Sequence, residues 1–319
     1  MEKEMVDMRV QNIAPEPRMP SRKPKARKGK TVFIVCILAI PILNWLVFWF
    51  WVNIQSILLA FQIETVDGIS FGLTHFADFW EAIVKENGDL GLSMKNTALY
   101  FLSSAVITMP LSLLISYFLS KKILGYQVFR IVLYLPCILS PIILTSIYDQ
   151  FLSPRGPLGV LCQNLNLSYP LNGPLKTPES MLPTFTIIIY TILTGFGGDM
   201  LIFSGAMSRI PTEIYESAKL DGCGPLREVV AIVVPLVWST ISTKIVLLLS
   251  GIFSASGPIL LLVTGKYNTS TVSFWIYNIV QKDGDYGIVA AAGLCFTAVM
   301  IPLILGVRAL MEKASDVEY

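Results

Sequence analysis

Charge is what this chain has least of. Of 319 residues only 14% are Asp, Glu, Lys or Arg, where soluble domains carry about 25%. With 54% hydrophobic residues and a mean hydropathy of +0.64, the chain reads as a membrane protein. Histidine is nearly absent as well. His75 stands alone, so neither a His-based catalytic triad nor a zinc cluster can be assembled. The five cysteines, Cys36, Cys137, Cys162, Cys223 and Cys295, form no C-x-x-C pair and read as small core residues rather than disulfides or ligands. There is no G-x-x-x-x-G-K-[ST] either. The cluster Gly195–Gly198 lies in an apolar run with no Lys-Ser or Lys-Thr after it, which suits close helix packing better than a phosphate cradle. Finally, 24 basic against 22 acidic residues leave a net charge of only +2, which argues against a nucleic-acid partner.

What is abundant is long apolar runs. Uncharged stretches span 31–63, 96–120, 131–148, 180–198, 245–265 and 286–307. A bilayer core needs roughly 20 apolar helical residues to cross it, so the expected fold is an all-α membrane protein of six transmembrane helices. The first run is too long for one crossing or for a signal peptide, and no small-residue cleavage site follows it. Its end, SILLAFQI, is expected to extend beyond the membrane or lie on its surface. Lys and Arg are distributed unevenly. The N-terminal tail, 121–130, 209–228 and the C-terminal end hold 17 of them, whereas the alternate loops 64–95, 149–179 and 266–285 hold six. The positive-inside rule therefore places both termini and the 209–228 segment in the cytoplasm. The basic, Pro-rich tail over 1–30 reads as a disordered arm and topogenic signal near anionic lipid headgroups. Residues 31–313 then form the membrane domain, and 314–319 a short tail.

One segment breaks the apolar pattern. EIYESAKLDGCGPLREVVAIVVP, 213–235, carries Glu213, Glu216, Lys219, Asp221, Arg227 and Glu228 between two apolar runs. Pro211 suits the first turn of a helix and Glu213 its positive end. Gly222 can end that helix in a left-handed conformation, and Pro225 can start another. Two short helices folded over a glycine make a cytoplasmic knob.

The segment resembles the EAA loop of binding-protein-dependent ABC importer permeases, E-A-A-x3-G-x9-I-x-L-P. Here Glu216, Ser217 and Ala218 are followed at the right spacing by Gly222, Ile232, Val234 and Pro235, with Ser217 and Val234 as departures. MKNTALYF (94–101), FRIVLYLPCILSPIILTSIYDQFLSPRGPLG and DYGIVAAAG (285–293) are similar to the second span, third span and last span of the maltose and glycerol-phosphate branch. The stretch around Gly265, Lys266 and Tyr267 departs from that branch's G-G-P-x-x-x-T form.

The resemblance implies a type I permease fold for a sugar or oligosaccharide importer in a bacterial or archaeal cytoplasmic membrane. Its implied partners are a second homologous permease, an ABC ATPase dimer that uses ATP and Mg, and an extracytoplasmic solute-binding protein. This chain itself would hold no cofactor or metal and catalyse nothing. In this resemblance the loop 209–235 couples to the ATPase through Glu213, Glu216, Ser217, Ala218, Gly222 and Pro235, with Glu216 as the ion-pairing residue. The solute path falls on YTILTGFGG and SGIFSASG, at Tyr190, Thr194, Gly195, Ser250, Gly251, Phe253 and Ser254. Hydroxyls and aromatic planes there suit a sugar, and small residues at helix contacts suit plain packing equally. A secondary transporter or channel, a non-sugar permease and a membrane scaffold are the other readings. A secondary transporter should carry intramembrane ionisable groups, and only Asp199 and Lys244 qualify, Lys244 being able to snorkel.

Overall fold

A computed structural model describes residues 28–65, 68–85, 89–178, 180–254, 257–282 and 284–315. Most of the basic tail assigned to 1–30 and the last residues of the tail assigned to 314–319 therefore lie outside the described residues. Two compact units are present, one ending at Gln55 and the other starting at Ser56.

The first unit contains α1 (Lys28–Asn44), a widened π-helical stretch (Trp45–Trp51) and the start of α2 (Val52–Phe61). Pro41 stands inside α1, four residues before the widened stretch. A proline in a helix removes one N–H and crowds the carbonyl four residues back, so the hydrogen-bond ladder nearby is disturbed.

The second unit begins with a feature the apolar pattern did not suggest. β1 (Gln62–Thr65) and β2 (Gly68–Phe71) form an antiparallel hairpin in register Gln62 to Phe71. SILLAFQI is thus helical only to Phe61 and then enters a strand. Next come α3 (Thr74–Val84), α4 (Asp89–Ser103), a widened turn Ser104–Thr108, and α5 (Met109–Ser120). Pro110 follows that turn, and the Met109 N–H reaches back five residues to Ser104 O instead of four. His75 sits in α3, where its Nε2–H donates to Gln62 O at 2.9 Å. Its ring occupies the space a Cβ at Gly287 would need.

Among the described residues, four helices are long and apolar enough to cross a membrane: Phe33–Phe61, Asp89–Ser120, Leu182–Met207 and Tyr286–Lys313. Two bent pairs raise the count to six if each is one span. The run 131–148 is one of these, not a straight helix. α6 (Tyr126–Ile138) stops, and α7 (Pro141–Leu152), with α8 (Pro157–Asn164) behind it, departs at 104°. Pro141 supplies the reason, since the residue before a proline is driven out of the helical region and Ser140 is extended at φ −59°, ψ 133°.

The run 245–265 is likewise corrected. After α9 (Leu182–Met207) and α10 (Thr212–Leu220), the chain forms α11 (Pro225–Glu228), a widened turn Val229–Val233 and α12 (Val234–Leu236). It then bends by 76° into α13 (Trp238–Ser250). The span therefore ends at Ser250. A 3-10 turn (Ile252–Ser254), α14 (Gly257–Leu262), α15 (Val272–Lys282) and α16 (Tyr286–Ser315) complete the described chain.

Small residues set the helix contacts. A Cβ on Gly197 of α9 would stand 2.7 Å from Cys137 Cβ of α6 and 3.3 Å from Leu133 O, so these helices touch backbone to backbone. None of the five cysteines is fully buried, against their reading as core residues, and Cys36 and Cys137 are exposed.

Candidate functional site

The charged segment folds as two short helices. α10 begins after Pro211, which is extended at ψ 141° and sits one residue before the first turn rather than in it. Glu213 lies in the first turn and Lys219 in the last, each at the helix end whose partial charge it complements. The helix ends in a Schellman motif. Gly222 N–H donates to Lys219 O at 3.2 Å and Cys223 N–H to Ala218 O at 2.9 Å, with Gly222 left-handed at φ 71°. A Cβ at Gly222 would meet nothing within 4 Å, so the glycine is required by backbone conformation and not by space.

The return path starts at Gly224, extended at ψ 159°, and Pro225 at the first helical position. Pro235 lies in α12 just past the widened turn, where Val234 N–H reaches Val229 O. A five-residue hydrogen bond ahead of a proline gives its ring room without ending the helix. Glu213, Glu216 and Ser217 are exposed on α10, and Ala218 is its single buried residue. Glu216 lines a cleft of about 420 Å³ together with Lys121, Arg130, Ser204, Thr212 and Tyr215.

Charge at the base of this hairpin is handled differently. The Glu228 carboxylate is paired with Lys121 Nζ at 2.5 Å, with the two side chains 7% and 32% exposed. The same ammonium stands 4.1 Å from the centre of the Tyr215 ring and 5.5 Å from that of Tyr117. Burial, and then the Glu228 carboxylate, raise the Tyr215 hydroxyl from its ordinary value, so it stays protonated at neutral pH. Beneath lies an apolar cluster that includes Met109, Tyr117, Phe203, Val233 and Ile241, to which the span Asp89–Ser120, α9, the widened turn and α13 all contribute. Lys121 escaped sequence reasoning. Its only signal was a position at the end of an apolar run, where a lysine usually marks topology.

Asp199 on α9 and Lys244 on α13 form a second ion pair, with side chains 11% and 16% exposed. Lys244 therefore does not snorkel away from the apolar region but is tied to a carboxylate on the neighbouring helix.

The residues assigned to a solute path are placed less simply. Tyr190 is buried in an apolar cluster with Ile187, Ile259 and Phe274, its ring 5.1 Å from that of Tyr148. Phe253 packs on Phe296 at 4.6 Å, beside a separate cluster built on Phe79 and Trp275. The hydroxyls of Thr194 and Ser250 donate to Tyr190 O and Val246 O of their own helices at 2.9 and 2.8 Å. A Cβ at Gly195 would come 3.2 Å from Thr108 Cγ2, which makes it a helix contact. Gly251 lines a largely apolar cleft of about 210 Å³ with Tyr100, Ser104 and Thr191. Ser254 ends the 3-10 turn, and the next two residues of SGIFSASG lie outside the described residues.

A third network surrounds Asn96, which is fully buried. Its side-chain amide donates to Asn268 O and Ser270 O, both at 2.8 Å, and Thr184 Oγ1 donates to Asn268 O at 3.2 Å. Val272 N–H donates to Thr97 Oγ1 at 3.0 Å. The loop they hold is unusual, because Thr264, Tyr267 and Asn268 are all left-handed without being glycine.

No family model matches the chain. Individual proteins do. The diacetylchitobiose uptake system permease protein NgcF of Streptomyces coelicolor is 23% identical over 90% of this chain and 85% of its own length. The multiple sugar-binding transport system permease protein MsmF of Streptococcus mutans is 23% identical over 86% and 92%. A solved chain from a bacterial alginate ABC transporter in complex with a periplasmic protein superposes with a TM-score of 0.76 at 20% identity, covering 91% of this chain and 98% of that one. Over most of its length the chain is similar to sugar ABC transport permeases, and it shares the fold of the alginate transporter chain. The segment between α9 and α13 is the one whose sequence resembles the EAA loop, and the Gly222 turn gives it its hairpin shape.

Proposed function

We propose that this permease is the membrane-spanning subunit of an ATP-driven importer for a sugar or oligosaccharide in a bacterial or archaeal cytoplasmic membrane, with both termini in the cytoplasm. An extracytoplasmic solute-binding protein delivers the solute to this chain and a second, homologous permease. A separate ATPase dimer, which binds ATP and Mg, receives the α10 hairpin in a groove, and its closure moves the spans between two access states. The observation that carries this reading is the exposed carboxylate of Glu216 on a helix whose own buried contribution is one alanine. Such a helix is shaped to meet another protein. The sugar class is supported by the relatives, which are named for diacetylchitobiose and for multiple sugars.

An ion-coupled secondary transporter would need Asp199 or Lys244 free to titrate, yet the two neutralise each other across α9 and α13. The test is reconstitution. Uptake into vesicles should require the binding protein, the ATPase and ATP together, and the purified chain should hydrolyse no ATP alone. Uptake driven by an ion gradient without nucleotide would overturn the reading.

A further inference from the structure

The coupling helix has few attachments of its own. The chain joins it to α9 at one end and to α11 at the other, and only Ala218 is buried along it. Covalent continuity would let it swing. Lys121 supplies an attachment that continuity does not, and it comes from a different span. Its backbone closes α5, with Lys121 N–H bonded to Tyr117 O and Lys122 N–H to Leu119 O, both at 3.1 Å. Its ammonium lies over the Tyr215 ring of α10, near the Tyr117 ring of α5, and against the Glu228 carboxylate at the end of α11. One cation therefore touches the coupling helix, the return helix and the end of the Asp89–Ser120 span.

From this geometry we propose that Lys121 is a positioning residue that locks α10 to the second membrane span, so that displacement of the coupling helix is delivered to Asp89–Ser120 directly. The inference rests on the coupling role proposed above. A cation held between an aromatic face and a carboxylate resists sliding in two directions, since moving Tyr215 away removes the ring and moving α11 away leaves a buried carboxylate unpaired. Neutralising Glu228 alone would not require the ring.

Two variants separate the anchor from mere charge balance. Lys121→Met with Glu228→Gln removes both charges and leaves no unpaired ion, and Tyr215→Leu keeps the ion pair but removes the aromatic face. In the full chain in lipid nanodiscs, amide hydrogen exchange across 212–221 should accelerate about tenfold in both, with exchange in the spans unchanged. In the transporter assembled with its partners, solute imported per ATP should fall about tenfold in both, while Lys121→Arg stays near the wild type. Unchanged exchange across 212–221, or acceleration throughout the chain, overturns the anchor. Faster exchange with undiminished solute per ATP overturns the transmission. If the wild-type assembly needs no binding protein for uptake, the functional reading fails, while the exchange result still decides the anchor.

Discussion

The span Asp89–Ser120 starts in a region closed by neutral hydrogen bonds and finishes in one closed by charge. Near its start, Asn96 and Thr97 hold the loop before α15 through amide, hydroxyl and carbonyl groups, and none of these titrates. At its finish, Lys121, Glu228 and two tyrosines hold the α10–α11 hairpin, with a second ion pair between α9 and α13. The neutral network is sealed, with Asn96, Ser93 and Thr184 all at 0% exposure. The Lys121 side chain is about a third open to solvent, so its attractions are screened and adjustable. A strong, dry network suits an element that stays put. A partly wet cation suits a joint that must shift while remaining attached.

The largest effect should come from breaking charge where it is driest. Asp199→Asn leaves the mostly covered Lys244 without its carboxylate, and loss of one partner of a buried pair costs about 3–5 kcal/mol. Thermal melting in detergent should show a steep fall for this variant and recovery for Asp199→Leu with Lys244→Met, which leaves no charge behind. If the single variant melts like the wild type, the pair is not a closed contact between α9 and α13.

The neutral end should come next. Asn96→Leu removes both donors to Asn268 O and Ser270 O, and unsatisfied buried carbonyls cost about 1–3 kcal/mol each. Thr184 still serves Asn268 O, which limits the total to about 2–3 kcal/mol. The loss should be the same from pH 5 to 9, because nothing in the network ionises there; a pH-dependent loss would contradict the assignment of this region as neutral.

These two regions differ in how far they were legible. The Asn-Thr pair at 96–97 stood out only through family likeness, since its partners lie more than 170 residues away and no local pattern links them. The hairpin at 209–235 was legible in detail because a glycine, two prolines and end charges are local signals of local geometry. Lys121 was not, since a cation's choice between solvent and an aromatic face depends on which helix folds over it. The bends at Ser140 and Val237 were missed for a related reason. Hydropathy counts apolar residues along the chain but does not register direction, and Pro141, which stands at one of the bends, went unread.

Gly222 offers a smaller and more local effect. Gly222→Ala forces an L residue into a left-handed conformation, at about 1–2 kcal/mol, although its Cβ meets no neighbour. Amide exchange should rise at Gly222 and Cys223, whose N–H groups close the motif, while global melting moves little. A large drop in melting would mean that the turn supports the whole fold and not the hairpin alone.

The smallest effect on stability should belong to Glu216, and it gives the sharpest contrast with Glu228. Both carboxylates lie on the same hairpin, twelve residues apart, yet Glu228 is buried against Lys121 and Glu216 is exposed. Among the described residues Glu216 has no ion-pair partner within the chain, so Glu216→Ala should change stability by less than about 0.5 kcal/mol. On the proposed coupling role uptake should nevertheless fall, because a charge with no internal partner is free for an external one, and its loss would remove the proposed contact with the ATPase. Co-purification with the ATPase and the solute-to-ATP ratio would be measured alongside melting. Full uptake at normal expression would show that the Glu216 carboxylate is only a solvated face and makes no contact that coupling requires.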